Sequence, residues 1–286
     1  MHTTHYTLET VTPLFLRGPD GETPELRPPS FKGMLRYWWR ALHPMPVDRL
    51  RDEEGRRFGS AGDEGGGQSP VRLRLRNRAL DTQSYEPVPT HNFRQSGFSP
   101  GQQFELAVTI TDRGTAWKDE VDATLRLMLQ VGGFGNRSRR GFGSVRLIAV
   151  DGTPVEPSED PLADVADQLK RIDTPYERDG RTITCAGQYA GGGGPEYPWV
   201  RRIETGSFWN GWRDAVQSIA QAAHRNDSTY TGDISPRVSS PIYVSVGADD
   251  RWCWPLVTTL NLPPSTEQSF DRYESDTRAD FRDALL

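Results

Sequence analysis

The 286-residue sequence has few cysteines, few lysines and no long apolar run. Its two cysteines, Cys185 and Cys253, lie far apart, which excludes a disulfide framework and a four-cysteine zinc site and is typical of a reducing cytoplasm. No run of about 18 apolar residues predicts a transmembrane helix. The first ten residues lack the basic and apolar regions of a secretory signal. We therefore expect a cytoplasmic protein with no membrane partner.

Several catalytic motifs are also missing. The sequence contains no G-x-x-x-x-G-K-[ST], no G-x-S-x-G and no H-E-x-x-H, which argues against a P-loop nucleotidase, a serine hydrolase and a zincin. The histidines show no metal-ligand spacing, so we expect neither a metal nor a cofactor. Only His91, in a Pro- and Thr-containing loop, is a candidate general acid or base. The five histidines are His2, His5, His43, His91 and His224.

The acidic total hides an uneven distribution of charge. The formal net charge is -5 at pH 7, which by itself argues against a nucleic-acid partner. Residues 1–150, however, hold 21 Lys or Arg and 17 Asp or Glu, a net of +4, whereas residues 151–286 hold 13 and 22, a net of -9. Of the 34 cationic residues 31 are arginines, which suit bidentate phosphate contacts, although GC-rich coding is an alternative explanation.

The first half of the chain shows alternating strand and helix patterns in the order β-α-β-β-α-β. This order is that of the ferredoxin-like fold, a four-stranded antiparallel sheet with two helices on one face. The other face of such a sheet stays open, and open faces of this kind commonly bind nucleic acid. The predicted elements are strand 5–11, helix 31–42 with Ser30 as its N-cap, strands 71–76 and 104–110, helix 121–129 and strand 145–150.

The second half shows a weaker version of this pattern, after a polar, Pro-rich linker at 151–161. Its order, β-α-β-β-α, is that of a degenerate copy of the first half. We therefore predict an α+β protein of two ferredoxin-like domains in tandem, at 1–150 and 151–286, the second divergent. The predicted elements are strand 182–186, helix 208–224, a hairpin of strands 242–246 and 252–260, and helix 270–286.

The strongest candidate binding segment is a glycine-arginine loop between the second helix and the last strand of the first half. Its glycines allow positive φ and close approach of a ligand, and successive N–H groups can bind an anion. Its arginines add donors suited to phosphate oxygens. A solvated glycine turn with a chance arginine cluster is the alternative. The candidate residues are Gly132, Gly133, Arg137, Ser138, Arg139, Arg140, Gly141, Phe142 and Gly143.

Two further basic stripes accompany this loop. Lys32, Arg36 and Arg40 recur at i, i+4 and i+8 and share one helix face. Residues 72, 74 and 76 are arginines on one face of a strand, about 6.6–6.8 Å apart, a separation comparable to that of phosphates along a single strand. The alternatives are a solvated helix face and a strand face paired with acids such as Glu105.

These segments together resemble a known family. The stretches 12–16, 25–40, 58–60 and 132–143 resemble the RAMP proteins (repeat-associated mysterious proteins). The helix pattern P-S-x-K-G-x-L-R-[FY]-W-W-R is similar to the family of first-numbered Cmr subunits in type III-B CRISPR RNA-guided effectors. The resemblance is specific over residues 12–146 and weak in the second half, where it rests on residues 235–241.

The resemblance implies two ferredoxin-like domains and a non-catalytic, RNA-binding role in antiviral defence. Such subunits sit near the 3′ region of the guide, help to capture target RNA and contact other RAMP subunits of the Cmr complex. The implied partners are therefore CRISPR guide RNA, target RNA and those subunits. Two alternatives remain open at this point. One is a metal-independent endoribonuclease that processes CRISPR transcripts with a residue such as His91, and the other is a stand-alone single-stranded RNA binder.

Overall fold

A computed structural model describes most of the chain, and the first half contains one five-stranded sheet. The described residues are 1–60, 67–76, 79–87, 93–189, 196–234, 237–263 and 275–286. The elements of the first half are β1 (His2–Thr10), α1 (Pro28–Leu42), α2 (Val47–Phe58), β2 (Val71–Arg76), β3 (Thr82–Tyr85), β4 (Gln95–Phe98), β5 (Gln103–Ile110), α3 (Lys118–Val131), β6 (Val145–Val150) and β7 (Thr153–Pro154).

The first sheet has the order β2-β5-β1-β6-β7, with antiparallel pairing throughout. Strands β1, β2, β5 and β6 with helices α1 and α3 follow the predicted order β-α-β-β-α-β. Alternating residues explain why one face is covered, since Leu8 and Leu106 point into the core while Thr7 and Glu105 are half-buried on the other side. The rings of Phe31 on α1 and Phe104 on β5 lie 5.7 Å apart within this core.

Three features of the first half differ from the sequence predictions. Helix α1 begins at Pro28 and has Arg27 as its N-cap, because two prolines fit the first helical turn; Ser30 is therefore inside the helix, not its cap. Helix α2 was not predicted. The β3–β4 hairpin was not predicted either. His91 falls in the sequence between these two strands and lies outside the described residues.

The second half contains another five-stranded antiparallel sheet. Its elements are α4 (Ala163–Arg171), β8 (Tyr176–Asp179), β9 (Thr182–Cys185), β10 (Trp199–Thr205), α5 (Trp212–Arg225), β11 (Asp233–Ile234), β12 (Arg237–Val238), β13 (Ile242–Ala248), β14 (Cys253–Asn261) and α6 (Arg278–Asp283).

The second sheet has the order β13-β14-β10-β9-β8. The predicted order β-α-β-β-α is present as β10, α5, β13, β14 and α6, but its first strand is the unpredicted β10 and not the segment at 182–186. Strand β9, which forms within that segment, pairs with β10 on the side away from β14. It occupies the place that β6 occupies beside β1 in the first sheet. Part of the predicted terminal helix lies outside the described residues.

The two halves share a buried apolar cluster in the described part. Tyr243 and Trp254 from the second sheet belong to the same buried cluster as Trp38 and Leu125 from the helices of the first half. A backbone hydrogen bond also joins the two halves, since Gly141 N donates to Val244 O at 2.8 Å. Among the described helices, none has the length and apolar character needed to cross a bilayer.

Candidate nucleic-acid interface

Helix α1 carries the predicted basic stripe, but α2 lies beside it and partly neutralises it. Arg36 Nε donates to Glu54 Oε1 at 2.7 Å, and Arg40 Nη1 donates to the same oxygen. Glu54 is 7% exposed, whereas both arginine side chains remain about one-third exposed. One carboxylate faces two guanidiniums with five N–H donors each, so positive charge and free donors remain on this surface.

Lys32 is more enclosed than its position in the stripe suggested. Its Nζ donates to Val71 O at 3.0 Å on the edge strand β2. Burial lowers the pKa of Lys32, and the nearby charge of Arg36 lowers it further. In the described structure the amine is thus engaged with the first sheet and contributes less to an outward basic face than Arg36 and Arg40 do.

The glycine-arginine loop is packed between the two sheets. Its backbone N–H groups at Phe134, Asn136, Gly141 and Gly143 donate to carbonyl oxygens of the protein, at 2.8–3.0 Å. These four N–H groups are consequently engaged inside the protein, and an anion site built from other N–H groups of the loop stays a prediction. The aromatic residue Phe142 is 4% exposed and lies against Phe15, with ring centroids 5.2 Å apart.

The glycines of the loop are required by close packing. Gly143 has φ +69°, and a Cβ there would lie 1.9 Å from Phe134 O. At Gly132, which ends α3, a Cβ would lie 2.5 Å from Trp38 Nε1. In this arrangement the loop glycines and its second phenylalanine pack inside the protein, and their contact with RNA stays a prediction. The buried residues concerned are Gly132, Gly133, Gly141, Phe142 and Gly143.

Arg140 serves the contact between the two halves. Its guanidinium donates to Thr231 O at 2.6 Å, to Ser240 Oγ at 3.1 Å and to Ile242 O at 3.4 Å. It also lies over the ring of Phe281, with Cζ 4.7 Å from the centroid. Burial, with a smaller effect of the two neighbouring arginines, lowers the pKa of Arg140 to about 10. Its two Nη atoms therefore donate within the protein, and a contact of Arg140 with RNA stays a prediction.

Arg137 and Arg139 are the loop arginines that reach the surface. Arg137 has φ +57°, a left-handed conformation, and its half-buried guanidinium has an Nε without a hydrogen-bond partner in the described structure. Burial lowers the pKa of Arg137. Arg139 Nη1 donates to Ser240 O, and its guanidinium lies over Tyr243, 5.4 Å from the centroid. Ser138 Oγ accepts from the hydroxyl of the same tyrosine at 2.8 Å.

Tyr37 connects the helix stripe with the loop. Its hydroxyl is buried and has no partner within the described residues. Burial raises the pKa of Tyr37, while the positive charges of Arg139 and Arg40 oppose that rise, so cations from the loop and from α1 both lie near it. We call Arg36, Arg40, Tyr37, Arg137 and Arg139 the arginine corner. Sequence reasoning missed Tyr37, because a tyrosine beside two core tryptophans carries no signal of its own.

The arginines of β2 form a separate exposed row at the edge of the first sheet. Arg76 lies 3.6 Å from Glu105, which also contacts His5 at 3.0 Å, so the alternative of an acid-paired strand face holds for this arginine. Arg72 donates to Gln68 Oε1 at 3.2 Å. For Arg74 and Arg72, no ion pair is found in the part of the chain that the structure describes.

Within the described residues, no three His, Cys, Asp or Glu side chains cluster as a metal site would require. His43 is buried, and its Nδ1 lies 2.6 Å from Trp39 O and its Nε2 3.6 Å from Glu120. Burial lowers the pKa of His43. This histidine joins α1 to α3 and is not in the arginine corner.

The family model of the RAMP superfamily matches residues 7–146, which include α1 and the glycine-arginine loop. This part of the chain belongs to the RAMP superfamily. Two relatives from Pyrococcus furiosus are similar to the chain. The CRISPR system Cmr subunit Cmr1-2 is 25% identical over 193 residues, covering 51% of this chain and 96% of that protein. The subunit Cmr1-1 is 26% identical over 174 residues, covering 53% of this chain and 50% of that protein.

The fold of the whole chain, including the part beyond the RAMP match, is also found in solved structures. The crystal structure of apo Cmr1 from Pyrococcus furiosus superposes with a TM-score of 0.60 at 17% identity, covering 98% of this chain and 93% of that one. A chain of the type III-B Cmr-beta complex bound to cognate target RNA superposes with a TM-score of 0.61 at 11% identity, covering 99% of both. The family model and the two relatives confirm the predicted RAMP resemblance. The solved structures confirm a mixed α and β architecture with antiparallel sheets.

Proposed function

We propose that this chain is a non-catalytic RNA-binding subunit of a type III-B (Cmr) CRISPR effector. In this role it holds guide RNA, or the guide–target duplex near the 3′ region of the guide, by the phosphate backbone and aids capture of target RNA. The proposal includes cytoplasmic assembly with other RAMP subunits. The matched Cmr subunits and the complex bound to target RNA support it.

The observation that carries this proposal is the arginine corner. Arg40 of α1 and Arg139 of the glycine-arginine loop lie near the buried hydroxyl of Tyr37. Arg36 shares Glu54 with Arg40, Arg137 lies two residues before Arg139, and Glu54 is the acidic partner found for these four arginines among the described residues. The side chains of Arg36 and Arg40 are about one-third exposed, and Arg137 and Arg139 are partly exposed, so donors on these arginines can reach a phosphate oxygen. Phosphate contacts of this kind give affinity without base selectivity, so binding to many sequences is expected.

The proposal also includes a ferredoxin-like fold for each half and a smaller set of RNA-contacting residues than the sequence predicted. The strand order of the first sheet supports a ferredoxin-like RAMP domain at 1–150. The β10-α5-β13-β14-α6 order supports a divergent second one at 151–286. Of the predicted contacts, Arg36, Arg40, Arg137 and Arg139 remain in the proposed interface, with the β2 arginines as a second row. Ser138 supports the corner through Tyr243.

The first prediction concerns the double variant Arg137→Ala/Arg139→Ala. We expect its affinity for a 30-nucleotide RNA to fall about tenfold or more, equally for two unrelated sequences, because two phosphate contacts are lost. The slope of log affinity against log salt should become shallower by about 1.4, at about 0.7 for each contact with a single strand. Fluorescence anisotropy between 50 and 300 mM KCl measures both quantities.

The matched control removes two exposed arginines of the second half, in the variant Arg201→Ala/Arg225→Ala. An unchanged salt slope in the corner variant, or an equal loss in the control, would show that the corner is not the RNA site. The enzyme alternative is tested with the same protein, by incubation with CRISPR repeat RNA in EDTA. We expect intact RNA; cleavage that disappears in His91→Ala would overturn the non-catalytic assignment.

A further inference from the structure

A cleft of about 570 Å³ opens between the two halves, and no residue of the arginine corner lines it. Its walls are the start of β6, the end of α3, the start of α4 and the hairpin of β13 and β14. The segment 154–158 closes one side. This volume is within the range of about 300–1,000 Å³ that is typical of binding clefts.

The charges in the cleft differ from those of the arginine corner. Five acidic residues and two arginines line it, a formal net charge of -3. The arginines are already paired, since Arg126 contacts Asp122 at 3.2 Å and Arg146 contacts Glu9 at 2.8 Å and Asp250 at 2.9 Å. A phosphate-bearing ligand would therefore meet repulsion here. The five acids are Glu9, Glu156, Asp164, Asp167 and Asp250.

The polar groups of the cleft are predominantly acceptors. Gln130 Nε2 donates to Asp164, which leaves Gln130 Oε1 buried and without a partner in the described structure. Glu156 and Asp167 are exposed at the rim. Asp167 also contacts Lys170 at 3.1 Å. Because carboxylates are acceptors only and each has more than one acceptor position, a ligand that uses the remaining positions must bring N–H donors, and the net negative charge favours a cationic ligand.

An aromatic surface continues the cleft on one side. Trp254 lines the cleft and is 8% exposed. Phe208 packs edge-on against it, with ring centroids 5.7 Å apart, and is 48% exposed. Trp252, which directly precedes β14, is 40% exposed. Phe208 and Trp252 are two of the four large apolar side chains that are exposed among the described residues.

We propose that the cleft binds a polypeptide segment of a partner protein in which arginine or lysine alternates with apolar residues. The acidic acceptors select its cations, and Trp254, Phe208 and Trp252 bury its apolar side chains. Exposed aromatics beside a well-formed cleft are typical of the centre of a protein interface. The aromatic surface extends past the cleft, which favours a chain over a small organic cation. This inference does not depend on the RNA site, because the two surfaces share no residue.

The test uses a fluorescein-labelled peptide, Gly-Leu-Arg-Leu-Arg-Leu-Arg-Gly, and the full chain. The charge variant Glu156→Gln/Asp167→Asn/Asp250→Asn changes exposed carboxylates only, so folding is retained. We expect saturable anisotropy with the unaltered protein and affinity at least about tenfold weaker with this variant. The matched control is Asp48→Asn/Asp52→Asn/Asp179→Asn, which removes the same charge from exposed sites outside the cleft. It should bind like the unaltered protein.

Two further comparisons separate specific binding from general attraction. The variant Phe208→Ser/Trp252→Ser should also weaken peptide binding, and a peptide with serine in place of leucine should bind weakly to every protein. Equal binding of both peptides, or equal loss in the control charge variant, would overturn the proposal. Weaker RNA binding by the cleft charge variant would do so as well, since it would assign the cleft to RNA. If the arginine-corner variant loses RNA but keeps the peptide, the two surfaces are independent.

Discussion

Three arginines within four positions of one loop have three different environments. Arg137 is half-buried with an unpartnered Nε in the described structure, Arg139 is shared between a carbonyl and the face of Tyr243, and Arg140 is enclosed by backbone acceptors of the second half. All three have the same side chain and lie in one short loop. The difference arises from the loop backbone, because the left-handed turn at Arg137 and the bridge of Arg140 to Val244 direct the side chains apart.

This difference predicts that substitutions of two neighbouring arginines lower the free energy of unfolding by very different amounts. Arg140→Ala leaves Thr231 O without the guanidinium donor and removes one of the two donors to Ile242 O, so we expect the free energy of unfolding to fall by about 2–3 kcal/mol. Arg137→Ala removes a guanidinium that holds no described partner through Nε, and about 0.5 kcal/mol or less is expected. Urea unfolding followed by circular dichroism measures both changes. Equal losses would show that Arg140 is no more structural than Arg137.

At the scale of secondary structure, strongly periodic elements were predictable and irregular ones were not. Helix α1 and strands β2 and β5 carry clear periods of 3.6 and 2, and all three form where expected. Helix α2 escaped prediction because its buried face is Leu50, Glu54 and Phe58, and a glutamate in the middle of an apolar stripe conceals the pattern. Glu54 is buried only because Arg36 and Arg40 neutralise it. Because these arginines come from a different helix, the burial of Glu54 cannot be predicted from the sequence of α2 alone.

The candidate site, like the fold, was predictable in part. The sequence indicated two basic segments, and the structure brings them together at Tyr37. The role of the loop glycines could not be foreseen, since positive φ serves a ligand and close packing equally well. The signal for β10 was also weak: Trp199, Val200 and Ile203 are buried, but Arg201 and Arg202 interrupt them.

The pairing of α2 with α1 leads to a prediction about Glu54→Gln. Loss of the carboxylate removes the partner of both guanidiniums, so we expect the free energy of unfolding to fall by about 1–3 kcal/mol. The same change adds one unit of positive charge to the arginine corner, so RNA binding should tighten and its salt dependence should steepen. Urea unfolding and RNA anisotropy are measured on the same preparation.

A matched control for this helix is Asp52→Asn, which removes an exposed carboxylate of α2. It should leave stability within about 0.5 kcal/mol of the original value. Weaker RNA binding by Glu54→Gln than by this control would contradict the assignment. That result would mean that Glu54 orients Arg36 and Arg40 for RNA, and that its negative charge is a smaller effect.

At the scale of the whole molecule, the net charge of -5 is an average over a basic first half and an acidic second half. The structure contains two surfaces of opposite charge, the arginine corner in the first half and the acidic cleft between the halves. The halves are nevertheless not independent in packing. The buried cluster runs from Trp38 through Tyr243 to Leu256, and Ser245 Oγ donates to Gln130 O at the end of α3.

This shared core predicts that the chain unfolds as one cooperative unit. Isolating either predicted half would expose the apolar contact of Tyr243 and Trp254 with the helices of the first half. Hydrogen-exchange mass spectrometry of the full chain tests the expectation. The slowest amides of β5 and β14, the inner strands of the two sheets, should exchange with opening free energies that agree within about 1 kcal/mol. Values differing by several kcal/mol would show that the halves open separately. The boundary at residue 151 would then divide two autonomous folding units, and the interface would add little to the stability of either.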